Sequence, residues 1–426
     1  MSYPVIDSTV SLWAHGYAWL PDLRRRRGGH GGPVRTRLLG RRAVVLHGPA
    51  DIGFFYDERH VLRHDALPGP VLNTLFGRGA VHTLDGAAHR ARKAMFVSLL
   101  MTRDGVAALV DRVETHWREA FTRARGREIV LFDQAATVLA EAVCDWAGLP
   151  VPQDAAREIG EDCVAMVDGF ATAGPRHWKA RRARARQEEA LARTVTEVRA
   201  GVAHLGAFAL TGGPGACAGA GPAYSALETV AHHRDADGRQ LDPHTAAVEL
   251  LNIIRPTVAI AWFAAFAAHA LERNPDLRDR LRADDGPYAR AFAHEVRRFY
   301  PFVPFVGGLA AHDLEHRGQT IPEGTLVLLD VYGHHHDPGL FDRPYRFDPT
   351  RFLGREPDAH GLIPQGGGDA RTGHRCPGED IVVGVLAALV TGLGRLDYTV
   401  PEQDLTIPLR RVPTRPRSGF VLKPSN

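Results

Sequence analysis

The chain has 426 residues, 52 of them basic and 49 acidic, so its formal net charge at pH 7 is +3. This balance is too mild to indicate a nucleic-acid-binding protein. The four cysteines show no C-x-x-C spacing, and the uncharged run Pro256–Leu271 is shorter than the roughly 18 apolar residues of a membrane span. We therefore expect a reduced, cytoplasmic protein with no integral membrane segment.

Most of the first half of the chain has helical periodicity between short breaks. Arg24–Arg27 and the glycines after them predict a basic, flexible turn, and residues 34–49 alternate as a β-hairpin does. A short helical pattern covers residues 57–64, and a longer one runs over residues 111–187. The Gly- and Ala-rich residues 201–224 predict a mobile surface connection.

A helix with two donor side chains is predicted to begin after Asp85, which is a good N-cap. His89 and Lys93 lie four residues apart and so share one face of this helix. Two such donors are either surface groups or the holders of an anionic edge of a cofactor.

The longest predicted helix begins at Pro243, with Asp242 as its cap, and runs to Arg273, about 45 Å at ~1.5 Å per residue. Arg255 and Pro256 interrupt its apolar middle. A guanidinium in an apolar helix is costly unless it meets an anion, and an interior proline opens the helix locally. Arg255 and Pro256 therefore indicate one of two arrangements. Either they form a groove with a fixed cation at its end, suited to an aliphatic carboxylate, or Arg255 pairs with a carboxylate of the protein.

Farther along, the chain predicts a helical ion pair and an apolar wall. Glu295 and Arg298 lie three residues apart on one helical face, where a salt bridge forms easily. Phe302 and Phe305, between prolines, form an extended apolar stretch that can line a pocket.

A single cysteine, Cys376, lies between a glycine-rich loop and an apolar helical pattern, in the stretch IPQGGGDARTGHRCPGE from 363 to 379. Glycines let the backbone approach the sulfur, a helix N-terminus stabilises a thiolate, and Pro377 fits the first helical position. His374 and Arg375 are donors suited to carboxylates. The pattern matches either a haem held by a low-pKa cysteine or an ordinary turn cysteine beside a flexible or phosphate-binding loop.

These features occur in the order of the cytochrome P-450 superfamily, which the chain resembles over nearly its whole length. The marks are the pair Glu295 and Arg298, the stretch FDPTRF with Arg351 as third member of a polar triad, and the Cys376 loop. The resemblance implies one domain over residues 1–426, mainly α with a small β region. It also implies a single haem b, buried between the long central helix and the cysteine-ligand loop, with Cys376 as axial ligand of the iron.

More narrowly, the chain resembles the fatty-acid peroxygenase and decarboxylase branch, through IPQGGG with GHRCPGE, AGPRHWKARRAR, VRRFYPFVPF and the pair Arg255 and Pro256. Positions seven and four before the cysteine are Asp369 and Thr372, where the wider superfamily has an aromatic residue and glycine. Arg255 and Pro256 replace the acid and threonine that normally deliver protons to bound dioxygen, and neither can relay a proton.

The branch implies a substitute for that relay. Arg255 would bind the fatty-acid carboxylate, which would itself act as general acid and base toward hydrogen peroxide, so that no reductase is required. The expected products are 2- and 3-hydroxy acids, or a terminal alkene with carbon dioxide. A reductase-dependent monooxygenase and a non-catalytic haem sensor are the alternatives.

The resemblance also assigns the remaining site residues. His82 occupies a position that is glutamine in relatives that mainly hydroxylate and histidine in a strong decarboxylase, and it either steers the outcome or only packs above the haem. Phe76 corresponds to the aromatic residue at the carboxylate end of the substrate, and Phe302 lines the channel. The haem propionates are assigned to four donors: His89, Lys93, His374 and Arg375.

Overall fold

The computed structural model describes residues 6–27, 32–170, 172–201, 225–283 and 286–426. Helices dominate it, and short strands occur in the first and last thirds of the chain. The predicted connection at 201–224 lies outside the described residues except for Gly201.

Helices form most of the described structure. Within the described ranges they are α1 Thr9–His15, α2 Trp19–Arg27, α3 Pro49–Tyr56, α4 Gly69–Val71, α5 Gly86–Leu100, α6 Arg103–Arg123, α7 Leu131–Ala147, α8 Gln153–Gly169, α9 Pro175–Arg199, α10 Ala226–His232, α11 Pro243–Val258, α12 Ile260–Arg273, α13 Asp276–Arg282, α14 Pro287–Phe299, α15 Val331–His335 and α16 Glu379–Arg395. A π-helical turn, Leu72–Phe76, and short 3₁₀ turns at Gly16–Ala18, Val81–Thr83 and Pro349–Phe352 complete them.

The strands of the described ranges form three small sheets. They are β1 Val34–Leu38, β2 Arg41–Leu46, β3 Val61–Leu62, β4 Ile129–Val130, β5 Phe305–Ala310, β6 Leu314–His316, β7 Gln319–Ile321, β8 Leu326–Asp330, β9 Tyr398–Thr399 and β10 Val421–Pro424. The largest sheet has the order β1-β2-β8-β5-β3, in which only β2 and β8 pair in parallel. The expectation of a mainly α fold with a small β region is confirmed.

Local patterns near the N-terminus were predicted with mixed success. The hairpin at 34–49 is confirmed, since β1 and β2 pair antiparallel with Leu38 opposite Arg41. The basic turn at Arg24–Arg27 was wrong, because these residues end α2, where Arg24 donates to the buried Asp330. The helix at 57–64 was also wrong: the chain turns there and enters β3, because pairing with β5 overrides the local pattern.

The long central helix is present as two segments that meet at Ala259, three residues after Pro256. Asp242 caps it, and its side chain accepts from the backbone N–H of Thr245. By length and composition Pro243–Arg273 as a whole could cross a membrane, but 94% of its most apolar 18-residue window is buried inside the protein. Such burial is typical of a core helix.

Candidate active site

The loop before α16 holds Cys376 in a partly buried position. The backbone N–H of Cys376 donates to the Gln365 carbonyl at 3.0 Å, which closes the loop on itself. Gly366 has a φ of 95°, and a Cβ there would lie 2.7 Å from the Tyr56 hydroxyl. Glycine is therefore required at this position, both for the backbone conformation and for the close packing.

The prediction that Pro377 starts the helix was wrong. The first residue of α16 is Glu379 and its N-cap is Gly378, whose backbone N–H instead lies at the Cys376 sulfur. The expected low pKa of the thiol was also wrong for the protein alone, since burial raises the pKa of Cys376, and the N–H of Gly378 and the charge of Lys93 only oppose that rise. A coordinating metal ion deprotonates such a thiol outright.

His89, Lys93 and His374 meet beside the cysteine loop, although 285 positions separate the first from the last. The rings of His89 and His374 stack at 3.9 Å, and the ammonium of Lys93 donates to the backbone carbonyl of Arg375. Burial lowers the pKa of Lys93 to about 8 and that of His89 to about 3. Within the described ranges, no carboxylate lies at ion-pair distance from Lys93.

Two carboxylates that the sequence did not assign to this cluster lie next to its histidines. Glu58 Oε1 lies 3.5 Å from His89 Nδ1 and 3.3 Å from His374 Nε2. Asp85 Oδ1 also lies 3.3 Å from His374 Nε2. Glu58, His89 and His374 place ligand atoms within 4.8 Å of one another, so these histidines already have acidic neighbours.

Asp85 precedes α5 as predicted, but its side chain does not cap the helix. Its oxygens accept instead from the backbone N–H groups of Arg63 and His64, at 2.8 to 2.9 Å. The carboxylate therefore fixes the preceding turn beside His374 rather than the first turn of α5.

Arg375 is held by a protein carboxylate, since its Nε donates to Glu379 Oε2 at 2.7 Å. Glu379 also pairs with Arg297, a fully buried guanidinium that donates to the Gln365 side chain as well. Arg297 braces both ends of the cysteine loop, and the sequence analysis missed it because Arg298 next to it fitted the better-known pattern.

The donors around Cys376 fit a haem. The sulfur has a backbone N–H and two cations near it, as a thiolate ligand requires, and Lys93, His89 and His374 are donors on the side where α5 faces the loop. Cys376 would hold the iron of a haem through its sulfur, and Lys93, His89 and His374 would hold its propionates.

Arg255 extends from the central helix into the same region. It is 6% exposed, and within the described part of the chain its Nε has no hydrogen-bond partner and its Nη2 donates to Asn252 Oδ1 alone, at 3.3 Å. Burial and the neighbouring Arg184 lower the pKa of Arg255 to about 9. Among the residues that the structure describes, no carboxylate lies within ion-pair distance of this guanidinium, so the cation lacks an anion.

Phe76 and His82 lie together beside that cation. Their ring centres are 4.4 Å apart, and the Arg255 Cζ lies 5.7 Å from the centre of the Phe76 ring. Burial and the charge of Arg255 lower the pKa of His82 well below its usual value. The imidazole is therefore neutral at pH 7 and can donate or accept a hydrogen bond.

Phe302 lies farther from the cation. Its ring packs against Phe263 at 4.9 Å, and Phe263 follows Arg255 by eight residues, or about 12 Å along the helix axis. The Phe302 ring therefore packs on the central helix about two turns beyond Arg255. The hydroxyl of Tyr17 donates to its backbone carbonyl at 2.7 Å and fixes this wall.

Glu295, Arg298 and Arg351 form one buried cluster outside the site. Arg298 donates to both oxygens of Glu295 at 2.7 Å, and the Arg351 Nε lies 3.4 Å from Glu295 Oε1. Arg298 also donates to the carbonyls of His335 and Pro344. The cluster ties α14 to the segments that lead into the cysteine loop.

Comparison with known proteins agrees with this geometry. Residues 272–411 match the family Cytochrome P450. A probable cytochrome P450 4s3 of Drosophila melanogaster is 32% identical to this chain, and the match covers 37% of this chain and 34% of the relative. A cyclooctat-9-en-7-ol 5-monooxygenase of Streptomyces melanosporofaciens is also 32% identical, and the match covers 30% of this chain and 31% of that relative. The match thus spans about a third of the length of these curated relatives.

Solved structures match over nearly the whole chain. Cytochrome P450SP alpha (CYP152B1) is 39% identical with a TM-score of 0.88, over 98% of both chains. Cytochrome P450EX alpha (CYP152N1), solved with myristic acid, is 35% identical with a TM-score of 0.90. A variant of cytochrome P450 OleT in complex with arachidonic acid is 35% identical with a TM-score of 0.91. Each of these two matches covers 99% of this chain and 98% of the solved chain. The chain therefore belongs to the cytochrome P450 family of haem-thiolate oxidoreductases, in the branch of the fatty-acid peroxygenases and decarboxylases.

Proposed function

We propose that this protein oxidises long- or medium-chain fatty acids with hydrogen peroxide at Cα and Cβ. Hydroxylation consumes one peroxide and releases one water, and oxidative decarboxylation converts one acid and one peroxide into a terminal alkene, carbon dioxide and two waters. The observation that carries the proposal is the buried guanidinium of Arg255, which has no carboxylate partner in the described part of the chain and faces the cysteine loop.

Arg255 binds the carboxylate of the substrate in this mechanism. A buried cation at this point prefers an anion to water or to the ring of Phe76, because desolvation is costly for an unpaired charge. Since the carboxylate is held at the guanidinium, Cα and Cβ are the carbons nearest the Cys376 side of the pocket. The rest of the chain then lies along α12 toward Phe302 and Phe263.

The bound carboxylate supplies the proton transfers that Arg255 and Pro256 cannot. One of its oxygens takes a proton from one peroxide oxygen and returns it to the other, which leaves as water. When bound, haem b supplies the cleavage of the O–O bond and the oxidation of the neighbouring C–H bond. His82, neutral and beside Phe76, can hydrogen-bond to the same carboxylate and influence whether it is retained or lost.

The test uses the haem-loaded protein with a series of saturated fatty acids and the matching fatty alcohols. We expect peroxide to convert the acids to hydroxy acids or alkenes, measured by mass spectrometry, and to leave the alcohols unchanged because they lack the anion. Turnover only with NADPH, oxygen and a reductase would indicate a conventional monooxygenase. Binding of the acid without any product would indicate a haem sensor. We expect the protein to act in the cytoplasm and to need no reductase.

A further inference from the structure

A buried carboxylate on the central helix connects the two halves of the proposed site. Glu249 lies six residues before Arg255 and is fully buried. Its Oε1 accepts from the backbone N–H of Val81 at 2.7 Å, next to His82, and its Oε2 accepts from the amide of Asn252 at 3.2 Å. The Glu249 side chain thus binds the turn that carries His82 through one oxygen and binds Asn252, which contacts Arg255, through the other.

Asn252 forms hydrogen bonds to both Phe76 and Arg255. Its Nδ2, which faces Glu249, also donates to the Phe76 carbonyl at 2.9 Å, and its Oδ1 accepts from the Arg255 guanidinium at 3.3 Å. Because both Nδ2 hydrogens are used by acceptors, the oxygen is directed at Arg255. The orientation of the amide, and with it the only hydrogen bond that the structure gives the Arg255 side chain, depends on Glu249.

Arg92 on α5 neutralises the buried carboxylate. Its Nη1 lies 2.7 Å from Glu249 Oε1 and also donates to the Gly79 carbonyl at 3.2 Å. Its other nitrogens bind Asp235, the Nε at 2.8 Å. Asp235 is 30% exposed and contacts neither Val81 nor Asn252 through a hydrogen bond in the described structure, so it supports Arg92 from outside the site.

We infer that Glu249 is a positioning residue, which sets the place of Arg255 and of the Phe76–His82 segment relative to each other and so determines how the fatty-acid head is held. The inference rests on the proposed function. It extends that function to a residue that touches neither substrate nor cofactor.

Replacement of Glu249 by glutamine is a sharp test because the two side chains have the same shape. Glutamine has one oxygen and one NH₂ group, whereas both positions in the protein face donors. If the NH₂ group faces Asn252, two amide donors meet, and the asparagine must turn its nitrogen toward Arg255. If it faces Val81, it meets the backbone N–H and Arg92. In either orientation a buried donor loses its acceptor.

The experiment compares wild type, Glu249→Gln and the control Asp235→Asn, all loaded with haem. Equilibrium dialysis with labelled myristate gives the Kd, peroxide turnover gives kcat, KM and the ratio of alkene to 2- and 3-hydroxy acid, and the absorption band of the carbon-monoxide complex reports the thiolate ligand. We expect Glu249→Gln to raise the Kd about tenfold or more and to change the product ratio, with the absorption band unchanged. In Asp235→Asn, the Kd and the product ratio should both stay within about twofold of the wild-type values.

The inference is overturned if Glu249→Gln keeps the wild-type Kd and product ratio, or if Asp235→Asn changes both equally, because the effect would then follow general destabilisation. Should Glu249→Gln fail to fold, Asn252→Ala removes only the arm toward Arg255 and Phe76, and wild-type affinity in that variant would equally overturn the inference. A wild-type protein that binds myristate without oxidising it would contradict the proposed function, while the dialysis measurement would still test Glu249.

Discussion

The guanidinium carbon of Arg255 lies 5.7 Å from the centre of the Phe76 ring, while no carboxylate of the described chain reaches that guanidinium. A cation–π contact contributes about 0.5–2 kcal/mol, which is small against the cost of burying an unpaired charge. The same loss of hydration lowers the pKa of Arg255 to about 9. The site is thus deficient in negative charge at the point where the proposed substrate carries its carboxylate.

Replacement of Arg255 by alanine is expected to reduce fatty-acid oxidation by about a hundredfold or more, since a buried charge pair contributes about 2–5 kcal/mol to binding. Haem content and the thiolate absorption band should stay at wild-type values, because Arg255 has no hydrogen bond or ion pair with the Cys376 loop in the described structure. The control is Arg193→Ala on the exposed face of α9, where the side chain is 64% exposed. Wild-type turnover in Arg255→Ala would disprove the carboxylate-assisted mechanism.

Replacement of His82 by glutamine is expected to shift any alkene product toward hydroxy acid, because the imidazole beside Phe76 contacts the carboxylate end of the substrate. Burial and the charge of Arg255 hold the pKa of His82 well below its usual value of ~6.5. His82 should therefore contribute no change in the product ratio as the pH rises above about 7. Gas chromatography of the products measures both, and an unchanged ratio in His82→Gln would make this residue a bystander.

Replacement of Arg298 by methionine is expected to lower the free energy of unfolding by about 3–5 kcal/mol, because the buried carboxylate of Glu295 loses the cation that binds both of its oxygens and keeps only the backbone N–H of Asp348 and the more distant Arg351 among its described partners. Both members of the pair have fully buried side chains. Arg193→Met, which breaks the exposed pair with Glu189, should cost no more than about 0.5 kcal/mol. Denaturant titration of the haem-loaded variants compares them, and equal losses would remove the distinction between the pairs.

His116 is expected to make stability fall as the pH rises. Its hydrogen bond to Asp145 and the Glu141 carboxylate 3.3 Å from its other ring nitrogen raise its pKa to about 9, above the value of ~6.5 in the unfolded chain. A raised folded-state pKa contributes stability that is fully present below the unfolded pKa and lost as the pH passes through the folded one. The difference in unfolding free energy between wild type and His116→Gln should therefore be large at about pH 6 and small above pH 9. A difference independent of pH would contradict the prediction.

Sequence patterns predicted the strongly periodic and motif-bearing parts of the protein well. The central helix, its cap at Asp242 and the hairpin at residues 34–49 follow from local signals. The patterns failed at residues 57–64 and at Arg24–Arg27, where pairing with β5 and the contact with Asp330 decide the conformation. Those partners come from more than 240 positions away in the chain, so no local window contains them.

The sequence by itself determined the chemistry available to this protein: a cysteine in a glycine-rich loop and a cation followed by proline in an apolar helix. Only the tertiary structure decided that Arg255 has no carboxylate partner among the described residues, whereas Arg375 has Glu379 and Arg92 has Glu249. The physical reason is that ion pairing in a protein interior depends on which side chains packing brings within a few ångströms, and residue type and spacing along one helix do not contain that information.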